Sequence, residues 1–481
     1  MKKGRKAGEK MTSDEKITRK LLAFIGQCPT AFHTVDSIRQ ILEKHGYREC
    51  PEEESWGLEA GGKYFVTRND SSLIAFRIPE RKDGREVADF TGYMIAASHS
   101  DSPAFRIKAN PEMKSAGAYV RLNVERYGGM LIAPWFDRPL SVAGRIIIKE
   151  GNHFRTKLVN IDRDLVMIPN VAIHMNREAN DGMHYNVQTD VLPVLGGETA
   201  EGAFAELIAE AAGVPKEQIA GDDLFLYARV PGTIWGANRE FVSSGHLDDL
   251  QCTYGDLMGF VESGEKAVSA PDAADAATIS EDVSEDASQA SGFAIPVLAV
   301  FDNEEVGSGT KQGADSTFLQ DTLARIGQEL GLTEEDQRRK LASSFMVSAD
   351  NAHAVHPNAE GKADPVNRPR MNHGIVIKYS ANQKYTTDAY SAALFRAIAE
   401  TAGETCQDFT NRSDMVGGST LGNISNAHVS VNTVDIGLPQ LAMHSPYETA
   451  GVHDTGALIR VMKVFFSSAL KAEGRGRFSL I

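Results

Sequence analysis

The chain reads as an α/β fold that carries a long β-rich insert. Apolar runs at 293–301, 343–350 and 373–380 alternate with helix-period segments at 314–330 and 387–402, the rhythm of a sheet with helices packed on it. A further strongly apolar run, TGYMIAASHSD, ends in polar residues at 99–101 and belongs to the same set. From 105 to 240, helical periodicity is scarce and short β-like runs recur between Gly and Pro.

In chain order, Thr12 and Glu15 have capping-box spacing, so the first helix starts at Thr12 or Ser13 with Leu21, Leu22 and Ile25 on its apolar face. DSIRQILEKHGY (36–47) is a second amphipathic helix with Gly46 as its stop. KYFVTRN, SSLIAFRIPE and TGYMIAASHSD then read as strands, and AYVRLNVERYG, AGRIIIKEG and HFRTKLVNI supply the β-structure of the insert. A helix is expected at 199–212, another opens near Leu247, and a last one closes the chain at 454–471. The predicted organisation is a first α/β part over 1–104, the insert over 105–240 and a second α/β part over 241–481.

At 481 residues, two or three core units are expected. Fifty Lys+Arg against 65 Asp+Glu leave a formal net charge of −15, which argues against a nucleic-acid partner, because phosphate neutralisation needs a basic face. No run of about 18 apolar residues occurs, so no membrane span is expected. The four cysteines form no CxxC pair, which supports neither a zinc knuckle nor a disulfide scaffold. The start, MKKGRKAGEK, is basic without an apolar stretch behind it and reads as a short tail on a cytoplasmic protein. Residues 263–292 are rich in Ala, Ser, Asp and Glu, with six acids and no base from 270 onward. They read as a flexible, solvated acidic insertion.

Five element ends carry the candidate chemistry. His99 and Asp101 leave a buried strand together, where a carboxylate can hold one ring N–H and fix the tautomer for metal binding. Asp248 and Asp249 stand at the start of a helix, where an acid also suits the dipole. Asp302, Asn303, Glu304 and Glu305 follow an apolar strand directly, at the crevice position of an α/β sheet. Adjacent carboxylates there are costly unless a cation or a proton relieves them, and one can ligate while its neighbour takes a proton from water. Asp350, His353 and His356 follow another strand, although Pro357 prevents a regular helix from aligning the two histidines. His444 comes after a final apolar run, and no GxSxG elbow or phosphate loop competes with these positions.

The segments ASHSDSP, SSGHLDDL, FDNEEVGS, SADNAHAVHPN, IKYSANQKYTTDA, SDMVGGSTLG and AMHSPYE, in this order between about 15 and 470, resemble the aspartyl aminopeptidase family of dinuclear metallopeptidases. That resemblance implies a mixed-sheet, zinc-peptidase-like catalytic domain with an inserted β-rich dimerisation domain. It implies two Zn(II) per subunit, with Co(II) or Mn(II) as substitutes. His99 and Asp350 would serve one ion, Glu305 and His444 the other, and Asp248 would bridge them; Glu304 would be the general base and Asp101 would orient His99. Substrates would be peptides with acidic N-termini, and the assembly a homo-oligomer, a dodecamer built from dimers. His174 would reach a neighbouring active site, Lys378 would contact substrate, Gly418 and Ser419 would lie on a substrate-facing loop, and His353 would line the pocket. Asp249 departs from the pattern, since Asn is common there. The rival readings are a related dipeptidase or deacylase, or an assembly or cargo protein that kept the fold and lost activity.

Overall fold

Thr12 begins the first helix, Ser13–Ile25, with a complete capping box: its side chain accepts the Glu15 N–H, and the Glu15 carboxylate accepts the Thr12 N–H. The computed structural model describes residues 11–80, 86–265 and 292–481. The basic tail through residue 10 and the acidic insertion from 266 to 291 lie outside the described residues. The second helix, Ala31–Lys44, starts earlier than its apolar pattern suggests, because Thr30 is extended and turns the chain into it. Gly46, at φ +81°, follows its end in the left-handed region that glycine occupies without strain.

The main sheet has nine strands. Four parallel neighbours form its centre: Ile295–Phe301, Tyr93–His99, Phe345–Ala349 and Asn432–Gly437. The first three are buried along their whole length, which is why they read as continuous apolar runs rather than alternating ones. Successive residues still serve opposite faces. Met94 and Ala96 join Leu257, Phe260, Leu458 and Phe465 of the helices Leu247–Ser263 and Asp454–Ser467. Ile95 and Ala97 join Phe318, Leu323 and Ile326 of the helix Phe318–Glu329 on the other side.

Register then places the chemistry. Phe301 pairs with His99 and Ser348 with Ala97, so the carboxyl ends of three parallel strands deliver His99, Glu304–Glu305 and Asp350 to one edge of the sheet.

The insert is a six-stranded antiparallel sheet built from strands between Ala104 and Ala228 around its own core of Phe105, Leu122, Trp135, Ile146 and Leu224. Its first strand, Ala104–Ser115, gives no alternating signal, because Asn110 takes φ +54° beside Pro111 and the pairing shifts register between Ile107 and Glu112. Thr233–Trp235, inside the expected insert, pairs with Phe241–Ser244 in a third, five-stranded sheet that also holds Glu448–Gly451, Pro439–Leu441 and Ala352–His353. Two further elements differ from expectation. A helix spans Glu334–Ala342, and the last helix stops at Ser467 so that Leu470–Gly474 can pair with Arg477–Leu480. Among the described residues, no helix is long and apolar enough to cross a membrane.

Candidate metal centre

The site is assembled from five separated segments. His99 is the last residue of its strand, and Asp101 turns back beneath it. The His99 Nδ1 lies 3.0 Å from the Asp101 carbonyl oxygen and 3.3 Å from Asp101 Oδ1, which assigns the proton to Nδ1 and aims the Nε2 lone pair at the cluster. Asp101 is held in turn by the Glu304 and Glu305 N–H groups, at 3.2 Å each, and by the Tyr127 hydroxyl at 2.6 Å. His99 Nε2 stands 3.6 Å from Asp248 Oδ1 and 3.9 Å from Asp350 Oδ1. On the other side, His444 Nε2 stands 3.3 Å from Asp248 Oδ2 and 3.4 Å from Glu305 Oε2.

Three groups of donor atoms result among the described residues, His99, Asp248, Asp249 and Asp350 in one, Asp248, Glu305 and His444 in another, and His99, Glu304 and Glu305 in a third, with the atoms of each within 4.8 Å of one another. Asp248 is common to the first two, and His99 and Glu305 each recur in the third. Asp249 also belongs to the first group, but its Oδ2 accepts the His99 N–H at 3.2 Å. Asp248 and Asp249 leave the helical conformation inside the helix Leu247–Ser263.

The electrostatics follow from burying so many acids together. Burial alone would raise Asp248, yet His444 and His99 hold it well below the ordinary carboxylate range. Burial likewise opposes the charged imidazoles, but Asp101 and Asp248 drive His99 upward and Asp248 raises His444 to about 9. Glu304 is pushed up to about 8 by burial, with His99 opposing and Asp350 adding to the rise. Glu305 is pushed well up by burial and by Asp248.

Of the residues predicted from sequence, His99, Asp101, Asp248, Glu304, Glu305, Asp350 and His444 converge on this edge. Lys378 reaches it too, but in a different posture from the one expected. Its side chain is buried, and Nζ donates to the Asp350 carbonyl at 2.8 Å and to Asp350 Oδ2 at 3.3 Å. It therefore grips Asp350 instead of projecting toward open space. His353 sits on the short strand beside Asp350, edge-on to the Phe409 ring. Among the described residues, His174, Gly418 and Ser419 have no hydrogen bond or ion pair to the cluster. His174 is exposed on the insert, Gly418 is exposed ahead of the helix Leu421–Ser425, and the Ser419 hydroxyl bonds to Asn423.

Sequence reasoning missed one segment and one residue. Tyr127, Gly128 and Gly129 end a strand of the insert and touch three site residues. Tyr127 reaches Asp101, Gly128 packs so that an added Cβ would lie 3.1 Å from Glu305 Cβ, and the Gly129 carbonyl accepts from His444 Nδ1. The Gly-Gly pair closing a strand was the available signal. Glu448, buried behind Asp248 and His444, closes the segment AMHSPYE, where its acid was passed over beside His444.

Nitrogen and carboxylate donors clustered at the carboxyl edge of a mixed sheet define a metallohydrolase. Residues 24–466 match the aminopeptidase I zinc metalloprotease family (M18), and the chain belongs to that family. It is 44% identical over 463 residues to a probable M18 family aminopeptidase 2 of Clostridium novyi, covering 95% of this chain and all of that one. Among solved structures it resembles Ape4, seen by cryo-EM in complex with Nbr1, at a TM-score of 0.85 and 32% identity, covering 96% of this chain and 87% of that one. It also resembles the mApe1 dodecamer of S. cerevisiae, at a TM-score of 0.78 and 25% identity, covering 95% and 97%. The chain is accordingly a metallo-aminopeptidase by family, and peptide N-termini are its substrates.

Proposed function

We propose that the chain releases N-terminal residues, with preference for Asp or Glu, at a centre that takes two zinc ions. The observation that carries this reading is the position of Asp248, whose Oδ1 faces His99 and whose Oδ2 faces His444 on the other side of the cluster. The residues fit such ions: Asp248 Oδ1 and Glu305 Oε1 are buried without a hydrogen-bond partner, an arrangement costing roughly 1–3 kcal/mol per group that a cation relieves. Imidazole and carboxylate donors without Cys suit Zn(II), and Co(II) or Mn(II) less selectively. One ion would be held by His99 and Asp350, the other by Glu305 and His444, with Asp248 common to both. When bound, the ions supply polarisation of the scissile carbonyl and acidification of water.

The protein's own groups do the rest. Glu304 accepts the proton of the attacking water and returns it to the leaving amine. Asp101 keeps Nδ1 of His99 protonated, so that Nε2 stays available to the cluster. Lys378 anchors Asp350 and brings positive charge to the side of the site where an acidic N-terminal side chain would lie. The S. cerevisiae dodecamer supports a homo-oligomer of the same kind here. So do the exposed Val171, Ile173 and Met175, which flank His174 on the insert; in an assembly of dimers, His174 would reach the neighbouring site.

The test is zinc content together with hydrolysis of Glu-, Asp- and Leu-arylamides before and after chelation. Activity that vanishes with the metal and favours Glu or Asp is expected. Leu favoured over Glu would refute the acidic preference, and a metal-free, inert protein would favour an assembly role. Glu304→Gln should lower turnover by at least about a thousandfold, within the reach of general base catalysis, while zinc content stays unchanged. Retained turnover in that variant would remove Glu304 from its role.

A further inference from the structure

Asp248 and His444 are joined by a side chain outside the donor set. Glu448 opens the strand Glu448–Gly451 and is only 2% exposed. Its Oε2 accepts the Asp248 N–H at 2.9 Å, and its Oε1 accepts the His444 N–H at 2.7 Å. One donor lies 200 positions away in sequence and the other 4.

Both N–H groups need such a partner. Asp248 is non-helical, with φ −85° and ψ 107°, inside its helix, and His444 takes φ +67° between two strands. Asp248 is the second residue of its helix, where no intrahelical carbonyl is in reach, and His444 lies outside any ladder, so without Glu448 two buried donors would be orphaned beside the cluster. Other tethers hold each residue singly: the Ser102 hydroxyl donates to the Asp248 carbonyl at 2.8 Å, and the Leu131 N–H to the His444 carbonyl at 3.1 Å. Glu448 spans both. Only a carboxylate can accept from the two at once, since an amide would turn its NH2 toward one of them.

We propose that Glu448 is a positioning residue whose carboxylate sets the separation and aim of Asp248 and His444, and with them the affinity for the ion those side chains take together with Glu305. The inference rests on the two-ion reading above. It deepens that reading by naming what holds the shared donor in place.

Metal-free wild type, Glu448→Gln and Glu448→Asp are titrated with zinc in competition with a chromophoric chelator. Visible spectra after Co(II) loading and steady-state kinetics at limiting and excess zinc accompany the titration. Wild type is expected to bind two ions. Glu448→Gln is expected to lose about tenfold to a hundredfold in affinity for one of them, the range typical of groups that support ligands. Its Co(II) spectrum changes, and its kcat falls at limiting zinc with KM held and recovers in part with excess zinc. Glu448→Asp retains both acceptor oxygens and lies between the two. Fewer than two ions on wild type overturns the two-ion reading and this inference with it. Two ions on wild type, with affinity, spectrum and kcat unchanged in Glu448→Gln, overturns the role of Glu448 alone. A variant that merely melts at lower temperature while binding zinc normally does the same. If Glu448→Gln does not fold, Glu448→Asp is read against the same outcomes.

Discussion

Asp101 joins the β-rich insert to the candidate metal centre. Its two carboxylate oxygens receive the Glu304 and Glu305 N–H groups from the loop after one strand and the Tyr127 hydroxyl from the insert, and its backbone holds the imidazole of His99. A hydrogen bond to a charged acceptor is worth about 1.5–3 kcal/mol, so removing one should loosen Asp101 without dismantling the site. Tyr127→Phe is expected to lower kcat by roughly tenfold with zinc content and KM near wild type, measured by steady-state kinetics and metal analysis. Wild-type kcat would show that the hydroxyl has no part in the geometry. The two ends of this contact differed in legibility. His99 and Asp101 stood out because a polar pair directly follows an apolar strand. Tyr127 sits in AYVRLNVERYG, where an aromatic residue is ordinary strand composition, and its partner lies 26 positions earlier across a domain boundary.

The helix Leu247–Ser263 shows how an element's position overrides its own pattern. Its sequence showed a helix opening on acids that suit the dipole, but almost every residue of it is buried between the sheet and the helix Asp454–Ser467. Asp256 is the consequence: it is fully buried, and neither carboxylate oxygen has a hydrogen-bond partner among the described residues. Burial pushes it well above the ordinary carboxyl value. The folded chain then keeps a proton that the unfolded chain has released, so this group makes stability fall as pH rises from that ordinary value toward the folded one. Asp256→Leu, close in volume and without the unsatisfied oxygens, is expected to raise stability at neutral pH by about 1–3 kcal/mol and to flatten its pH dependence. Paired denaturant titrations at acidic and neutral pH would measure this, and a Leu variant less stable than wild type at neutral pH would contradict it. The strands of the main sheet were legible because burial on both faces writes a long apolar run. The strand Ala104–Ser115 was not, because Asn110 and Pro111 interrupt its alternation and only long-range pairing restores it.

At the scale of the whole molecule, the candidate donors at 99, 248, 305, 350 and 444 tie together segments drawn from most of the chain, so the free energy of an ion bound there would also be folding free energy. For the metal-free protein the signs can be worked out. Glu304, driven up to about 8 by burial, holds a proton that the unfolded chain has lost, so its contribution to stability declines as pH climbs toward 8. His444, raised to about 9 by Asp248 against the opposing effect of burial, contributes stability that is full below its ordinary value and is lost as pH rises through 9. Glu305 and His99 shift in the same sense. Asp248, held low, loses its contribution only in stronger acid, outside this window. Zinc acts in the opposite direction, because ligands must shed protons to bind it and its affinity therefore grows with pH. At free zinc a hundredfold above Kd, a bound ion would add about 2.7 kcal/mol. The melting temperature of the chelated protein is accordingly expected to fall between about pH 6 and about pH 8, while the increment produced by zinc widens over the same range. Calorimetry of chelated and zinc-loaded samples across that range decides it: a zinc increment that stays constant, or a chelated protein that gains stability with rising pH, would mean that these buried carboxylates and imidazoles are not what the ions replace.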